Sequence, residues 1–446
     1  MKKVDGKKLT LFALTWPIFI EIALHMLMGN ADTLMLSQYS DSSVAAVGLS
    51  NQILFLVIVM FGFVATGTSI LISQYLGANQ DRKAKEVAVI SLGANLAFGL
   101  LLSLALYFLQ EPILRSMNVP DELFLEASDY LVIIGAFSFV QALIMTVGAV
   151  VRSYGYTRDI MFITIGMNIV NVIGNYFVIF GPFGFPVLGV EGVALSTTIS
   201  RFIGFIVAIG VLIYRVPGAL PWISALKQPW EHLKNLLRIG IPSAGEHLSY
   251  NASQIVITYF IAAMGTEALT TKVYAQNVMM FIFLFAVAVG QGTQILIGHM
   301  IGGKQYEEAY ERCLKSLKIA IFISFASAIV FSLFAKPVLG IFTSNEAILT
   351  TGSILIYLTI LLEPGRAFNL VVISSLRAAG DVKYPVYIGI ASMWGVAVVL
   401  AYTLGVWAGL GLIGVWIAFA ADEWLRGILM LRRWRKRGWV KMSYTQ

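Results

Sequence analysis

The chain has 446 residues, of which 58% are apolar and only 12% are Asp, Glu, Lys or Arg. A soluble domain carries about twice that share of charge, so these residues could not cover the surface of a globular protein. The single cysteine excludes an internal disulfide framework, and the apolar excess excludes a disordered chain. The composition therefore predicts an integral membrane protein with room for a dozen helical spans of roughly 20 residues each.

The N-terminal sequence MKKVDGKKLT precedes an apolar run that extends to Leu36. This run is longer than the apolar core of a secretory signal, so we predict a retained first span. Charged and Gly/Pro-rich breaks divide the chain into continuously apolar segments, which indicate helices rather than the alternating strands of a membrane barrel. Twelve spans are predicted, starting near residues 9, 44, 86, 122, 159, 190, 238, 267, 308, 347, 384 and 411.

Basic residues fall on alternate connections between these spans. The termini and the even-numbered loops hold 26 of the 31 Lys and Arg residues. The positive-inside rule then predicts cytoplasmic termini and a multi-pass protein of the plasma (inner) membrane. We expect the basic sequence RRWRKRGW to meet anionic lipid headgroups, so the net charge of +7 requires no nucleic-acid partner. The expected partners are the lipid bilayer and a small-molecule substrate, and the expected state is a monomer.

The chain also repeats itself at one fixed offset. This offset relates Pro17 to Pro242, Glu21 to Glu246, Arg152 to Arg377, and TSILI (68–72) to TQILI (293–297). Six spans return the chain to its starting side, so the two copies share one orientation and form a parallel repeat. The predicted fold is all-α, with twelve transmembrane helices in two six-helix bundles around a V-shaped central cleft. The predicted units are an N-terminal bundle (1–215), a cytoplasmic linker (216–237), and a C-terminal bundle with a basic tail (238–446).

Ionisable side chains inside a span need a partner, a hydrated cavity or a function, because hydrocarbon burial costs at least about 2.5–3.5 kcal/mol. Four residues of the first span share one helix face, which we predict to line the cleft: Glu21, His25, Met28 and Asp32. A carboxylate on this face tends to bind a proton or an alkali cation. Asp32 and Glu21 are therefore candidate ion-coupling residues, and hydrogen bonding between helices is the structural alternative.

Asparagines of the fifth span share a face as well, because Asn168, Asn171 and Asn175 are spaced three and four residues apart. The amide oxygens of Asn171 and Asn175 could complete a Na⁺ site with Asp32, or the amides could simply hydrogen-bond between helices.

Two acids of the second half are further candidates for ion coupling, namely Glu246 in the seventh span and Glu363 in the tenth. Glu363 can pair with Arg366 one turn later, either to fix the helix or as a titratable pair in the cleft. For the other ionisable residues inside spans, bracing of the bundles and a functional role both remain open: Arg201, Asp422, Glu423 and Arg426.

Enzyme signatures are missing from the sequence, which has no His-Glu-x-x-His run, no Cys or His cluster and no phosphate-binding loop. We therefore expect no enzymatic activity and no cofactor besides a coupling ion, H⁺ or Na⁺.

Several stretches together resemble the multidrug and toxic compound extrusion (MATE) transporters of prokaryotic type. They are ADTLMLSQYSDSSVAAVGLSNQ (31–52), GTSILISQYLGANQ, the asparagine-rich fifth span, and LRAAGDVKYP (376–385). The resemblance covers essentially the whole chain. It implies two six-helix bundles around a V-shaped cleft and export of cationic or amphipathic compounds driven by Na⁺ or H⁺. It also places the family's first-span acid on Asp32 and its fifth-span asparagine on Asn171.

The chain departs from the family pattern in two places. Asn175 stands where one branch of the family has an aspartate. Another branch carries its coupling acids in the seventh and tenth spans, about one turn after Glu246 and Glu363, where this chain has Tyr250 and Arg366.

The sequence therefore predicts a cation-coupled antiporter that exports cationic or amphipathic small molecules by alternating access. The predicted substrate-binding residues are Asp32, His25, Met28, Met35, Gln52 and Arg366. The alternative is a flippase or exporter of a lipid-linked or anionic metabolite, which a strongly cationic cleft would favour.

Overall fold

The computed structural model describes residues 3–4, 7–227 and 229–445, and nearly all of them are helical. Two-residue strands, β1 (Lys3–Val4) and β2 (Lys7–Lys8), pair antiparallel before the first helix. The helices are α1 (Leu11–Ser37), α2 (Asp41–Gly77), α3 (Asp81–Ser116), α4 (Asp121–Ala136), α5 (Ser138–Ser153), α6 (Thr157–Phe180), α7 (Gly189–Arg215), α8 (Trp222–Lys227), α9 (Pro229–Ala263), α10 (Thr266–Gly302), α11 (Tyr306–Leu333), α12 (Ala335–Leu339), α13 (Glu346–Ala378), α14 (Lys383–Trp407) and α15 (Gly411–Arg435).

Within the described residues, nine helices are long and apolar enough to cross a membrane, and the bent pair α4 and α5 can form a tenth span. Helices α9 and α15 have comparable lengths but contain more polar and charged residues. Together these helices give the twelve predicted spans. Eleven of them begin within about five residues of the predicted position, which the helix bounds confirm.

The seventh span differs from the prediction because α9 begins at Pro229 rather than near residue 238. The predicted linker therefore contains α8 and the first turns of α9. These turns are amphipathic, and they bury His232, Leu236 and Ile239 at helical spacing. A search for apolar runs does not detect such a helical extension.

The fourth span is not continuous, although nothing in the sequence indicates a division. It bends by 45° at Phe137, between α4 and α5. Ser103 of α3 supports the break: its Oγ lies 2.9 Å from Ser138 Oγ and accepts a hydrogen bond from the Phe139 amide at 3.1 Å. A neighbouring hydroxyl thus satisfies a backbone group that the break releases.

The two halves of the chain meet on one side of the molecule, which we call the terminal face. Here α1 begins, and α2, α5, α10, α13 and α15 end. One buried cluster joins Leu14 and Ile18 of α1 to the C-terminal half, and another joins α2 to Leu236 and Ile239 of α9. On the opposite face, each described core cluster draws its residues from one half only. The halves therefore diverge from the terminal face around a central cleft, in agreement with the predicted fold.

Closure of the terminal face depends on backbone contact between α2 and α10, each of which ends at a glycine. A Cβ atom on Gly77 would lie 2.0 Å from the His299 carbonyl oxygen, and one on Gly302 would lie 1.8 Å from the Gln74 carbonyl oxygen. Only glycine permits this approach. The two glycines occupy equivalent positions in the internal repeat.

The C-terminal tail adds a further contact at the terminal face. The Gln74 side chain donates to the Ala378 carbonyl at 2.7 Å, and its Oε1 accepts from the Tyr444 amide at 2.8 Å and from Ser443 at 3.1 Å. One amide of the N-terminal half therefore binds both the end of α13 and the tail.

Candidate functional site

A buried polar chain connects α1, α6 and α7 in the N-terminal half. Asp32 is 6% exposed, and its Oδ1 accepts a 2.6 Å hydrogen bond from Asn175 Nδ2. Asn175 also lies 3.4 Å from Asn171 Oδ1, and Asn171 in turn donates to Thr197 at 3.0 Å. The structure therefore brings the predicted first-span acid together with both predicted asparagines.

Helical spacing explains how these side chains meet. Asn171 and Asn175 are one turn apart on α6, so they point the same way toward α1 and α7. On α7, Ser196 donates to the Asn171 carbonyl at 3.0 Å while the adjacent Thr197 receives the Asn171 amide. The asparagine at the centre of the chain is thus fixed by its backbone and its side chain.

The oxygen atoms beside Asp32 have unused hydrogen-bonding capacity. Asn175 Oδ1 is buried and has no hydrogen-bond partner among the described residues. Carboxylate and amide oxygens are ligands that a hard cation prefers. The Asp32 carboxylate and the Asn175 amide oxygen are therefore ligands of the kind that Na⁺ prefers, and a carboxylate can also take up a proton.

Arg201 of α7 is a charged neighbour of this chain. It lies within electrostatic reach of Asp32 and Tyr130, and His25 of α1 lies within reach of Arg201 and Glu21. The hydrogen-bonded chain from Asp32 to Thr197 and the charged Arg201 thus belong to one interior region, which we call the N-half site.

Two ion pairs occupy equivalent positions in the two halves. Arg152 Nη1 lies 2.6 Å from Glu21 Oε1, and both side chains are largely buried. Arg377 forms the matching pair with Glu246. The repeat offset relates both members of one pair to both members of the other. In each half, the pair joins the first span to the end of a later helix at the terminal face. These helices are α1 and α5 in the first half and α9 and α13 in the second.

The C-terminal half contains a second buried charged group, which we call the C-half cluster. Its ionisable members are Glu363, Arg366, Asp422, Glu423 and Arg426. The shortest contacts join Arg426 to Asp422 at 2.6 Å and Arg366 to Glu363 at 2.9 Å. Glu423 bridges both arginines, at 3.1 Å from Arg426 and 3.6 Å from Arg366.

The C-half cluster confirms that Glu363 and Arg366 pair on one helix. Glu363 is fully buried, and its Oε2 has no hydrogen-bond partner in the described part of the chain. Asn369 and Ser392 complete the cluster by donating to Glu423 and Asp422 at 2.8 and 2.5 Å. With three acids and two arginines, the cluster carries one more formal negative than positive charge.

The other predicted substrate-binding residues are more dispersed. Met28 is half-buried, and Met35 packs on the core of the N-terminal half. Gln52 is exposed on α2, and the Arg366 guanidinium lies 5.3 Å from the centre of the Phe283 ring. The described contacts do not join these residues into one site, so their binding roles stay predictions.

Sequence reasoning did not identify Thr197 as the end of the polar chain from Asp32, or Tyr130 as a residue within electrostatic reach of Asp32. Hydroxyl side chains are common in membrane helices, and nothing in their spacing distinguishes these two. The ion pairs of Glu21 and Glu246 were also missed, although the repeat relates both acids and both arginines. The repeat register was therefore the available signal.

Known proteins resemble this chain over nearly its whole length. A family model described as MatE matches residues 17–177 and 242–403, two segments that begin at the repeat-related residues Pro17 and Pro242. The uncharacterized transporter YisQ of Bacillus subtilis (strain 168) is 57% identical over 99% of this chain and 97% of its own length. The probable multidrug resistance protein NorM of Thermotoga maritima is 28% identical, over 96% of this chain and 93% of that protein.

The fold is also similar to solved structures. One of them is the outward-facing conformation of a multidrug resistance MATE family transporter of the MOP superfamily. It matches with a TM-score of 0.87 and 22% sequence identity, over 98% of this chain and 96% of that one. The similarity extends over both halves.

Proposed function

Because this chain belongs to the MatE family of multidrug and toxic compound extrusion transporters, we propose that it exports cationic or amphipathic small molecules in exchange for H⁺ or Na⁺. It is a transporter rather than an enzyme, and its relative in Thermotoga maritima is named a probable multidrug resistance protein. The substrate class, the coupling ion and the residues that connect them are the substance of the proposal.

Asp32 is the centre of the proposed mechanism. One observation carries the proposal. The Asp32 carboxylate is buried in a membrane helix, and its hydrogen-bond partner at 2.6 Å is a neutral amide, that of Asn175. An ionised acid at this depth needs a cation or a proton. A coupling ion and a cationic substrate therefore compete for Asp32, and this competition is the basis of antiport.

The other candidate coupling acids have a different environment. Glu21, Glu246 and Glu363 each contact an arginine. An arginine supplies the compensating charge permanently, so these acids have less need of a transported ion. We retain them as proposed coupling residues, with Glu363 next after Asp32 because its buried Oε2 finds no partner among the described side chains.

The two faces of the molecule support a mechanism of alternating access. The terminal face is closed by the contacts of Gly77 and Gly302, whereas the core clusters of the opposite face are separate in the two halves. Binding of an ion or substrate at the N-half site can shift the equilibrium only if it interacts differently with the two arrangements. We propose that protonation or Na⁺ binding at Asp32 changes its hydrogen bond with Asn175 and thereby favours one arrangement.

The proposed location is the inner membrane, with both termini in the cytoplasm. The excess of Lys and Arg on the terminal face supports this orientation. The cleft would then open away from the cytoplasm, as is required for substrate release. We propose that the chain acts as a monomer, because each half contributes its own polar site.

The test is transport by the purified protein in liposomes. Tetraphenylphosphonium is supplied as the cationic substrate, and a pH gradient and a Na⁺ gradient are imposed separately. We expect one of the gradients to drive accumulation in the wild type and Asp32→Asn to abolish it. The control is Asp41→Asn, which alters an exposed acid in the first turn of α2. Unchanged transport by the folded Asp32→Asn protein would refute the proposal, and transport of anionic compounds alone would favour the flippase or anion-exporter alternative.

A further inference from the structure

A groove lies between α6 and α7 in the part of the N-terminal half next to the terminal face. It encloses about 330 Å³ and is lined by ten residues, among which Asp159 has the only polar side chain. Phe162, Ile203 and Val207 on its walls are 61%, 42% and 47% exposed. Large apolar side chains exposed along a groove mark a surface that binds an apolar partner.

The groove faces the bilayer rather than the central cleft. Asn171 and Asn175 mark the inner side of α6, where they meet Thr197 and Asp32. Phe162 precedes Asn171 by nine residues, which at about 100° per residue places it on the opposite side of the helix. The cleft also opens away from the terminal face, whereas the groove lies beside it. Acyl chains of the membrane therefore surround the groove.

The length of the groove matches one leaflet of the bilayer. Its residues on α6 extend from Asp159 to Val170, which is about 16 Å of helix. That is about half of the 30 Å hydrocarbon core of a membrane. Helix α6 begins at Thr157 and α7 ends at Arg215, both at the terminal face. The groove therefore extends from the headgroup level of one leaflet to about the middle of the membrane.

Two glycines shape the groove. A Cβ atom on Gly166 would meet no described atom within 4 Å, so this position leaves one wall open. A Cβ atom on Gly204 would lie 2.0 Å from Met167 Sδ, so α6 and α7 are in close contact beneath the opening. An apolar groove offers water no hydrogen-bond partners, and an empty one forfeits van der Waals contacts. A single acyl chain has the length and the chemistry to fill it.

Charged and aromatic side chains surround the end of the groove at the terminal face. Asp159 accepts hydrogen bonds from Arg215 at 2.6 and 3.2 Å. The Arg215 guanidinium also lies 4.6 Å from the centre of the Tyr156 ring and 5.4 Å from that of Tyr214. Arg158, adjacent to Asp159, is exposed. Tyrosines are typical of the headgroup level, and two arginines with one acid leave a net positive charge there.

We propose that this groove is a binding site for one anionic phospholipid of the cytoplasmic leaflet. One acyl chain lies between α6 and α7, and the headgroup lies beside Arg158 and Arg215. Lipid surrounds every span, but at this site the shape of the protein fixes one molecule in place. The site is distinct from the N-half site, which lies on the other side of α6. It shares with the proposed function only the cytoplasmic orientation of the terminal face and does not depend on Asp32.

Native mass spectrometry of the purified full-length protein tests this site. The delipidated protein is titrated with phosphatidylglycerol or with phosphatidylcholine that carries the same acyl chains, so the two lipids differ only in the headgroup. We expect the first phosphatidylglycerol to bind about fivefold more tightly than the first phosphatidylcholine, because a basic side chain near the membrane attracts an anionic lipid by about that factor.

Variants then assign this lipid to the groove. Gly166→Leu fills the open wall without a clash, so its first phosphatidylglycerol is expected to bind no more tightly than later ones. The matched control is Gly210→Leu in α7, where an added Cβ also meets no described atom within 4 Å but which does not line the groove. This control should bind like the wild type.

A second pair of variants tests the headgroup. Arg158→Gln is expected to reduce the preference for phosphatidylglycerol over phosphatidylcholine. Its control is Arg115→Gln, which removes an exposed arginine in the last turn of α3, at the opposite face, and should keep the preference.

Equal binding of the two lipids by the wild type would overturn the site. Tight binding of phosphatidylglycerol by folded Gly166→Leu would also overturn it, since the lipid would then adsorb without the groove. Protein dimers in place of bound lipid would show that the groove is an interface between copies. If Gly166→Leu does not fold, Val207→Phe narrows the groove from α7 and should cause the same loss. Asp32→Asn should bind lipid like the wild type, so a failure of the proposed function in transport leaves this result unchanged.

Discussion

Replacing Gly302 by alanine should weaken the closure of the terminal face. The added Cβ would lie 1.8 Å from the Gln74 carbonyl oxygen, whereas real Cβ atoms essentially never approach closer than 3.0 Å. Because the obstructing atom is backbone, a change of rotamer cannot relieve the clash. The ends of α2 and α10 must separate by about 1 Å or more.

The size of the effect follows from the cost of overpacking, which is typically about 1–3 kcal/mol in a well-packed interior. If about 2 kcal/mol falls on the closed arrangement alone, the ratio of closed to open molecules decreases about 30-fold. Gly77→Ala should act in the same way, since its Cβ would lie 2.0 Å from the His299 carbonyl oxygen.

Spin-label distances across the terminal face measure this shift. Lys83 and Glu308 are exposed in the first turns of α3 and α11, one in each half, so both can be replaced by labelled cysteines. The single native cysteine, Cys313, is buried and is replaced by alanine. We expect Gly302→Ala to add a population with longer distances.

The matched control is Gly210→Ala in α7, where an added Cβ would meet no described atom within 4 Å. This variant should keep the wild-type distance distribution. A folded Gly302→Ala protein with an unchanged distribution would refute the reasoning that these glycines hold the face closed.

Three further predictions concern stability and the tail. Glu246→Gln leaves Arg377 without its partner, so it should destabilise the protein by about 3–5 kcal/mol. The double variant with Arg377→Gln should lose less stability than the sum of the two single losses. Additive losses in melting experiments would contradict the ion pair. Ser103→Ala removes two hydrogen bonds at the bend of the fourth span and should cost about 1–3 kcal/mol, seen as a lower melting temperature; an unchanged melting temperature would count against its role. Deleting residues 442–446 removes the tail contacts of Gln74 and should lengthen the same spin-label distances, whereas unchanged distances would exclude a contribution of the tail to closure.

The sequence predicted most of the fold because membrane helices are encoded by simple, local rules. Long apolar runs and the alternation of basic loops located eleven of the twelve starts within about five residues. The bend at Phe137 was not predictable, because it contains no proline and depends on a hydroxyl of another helix. The early start of α9 at Pro229 was missed because its first turns are amphipathic rather than apolar.

Part of the candidate site was also predictable, because local sequence rules determine which side chains share a helix face. Helical spacing placed Asn171 and Asn175 on one face, and the cost of a buried acid singled out Asp32. That no described carboxylate contacts Arg201 could not be read from the sequence, because it depends on which side chains of other helices come within reach. An arginine inside a span has the same sequence signature whether or not an acid contacts it.

The competition of ion and substrate for Asp32 is tested most directly by counting the ions that a substrate displaces. Tetraphenylphosphonium is added to the purified protein in weakly buffered solution, and the release of protons and of Na⁺ is measured. We expect the wild type to release about one H⁺ or Na⁺ per substrate bound, because the competition takes place at a single carboxylate, and Asp32→Asn to release none. Release of the same number of ions by Asp32→Asn, or substrate binding by the wild type without any release, would contradict this competition.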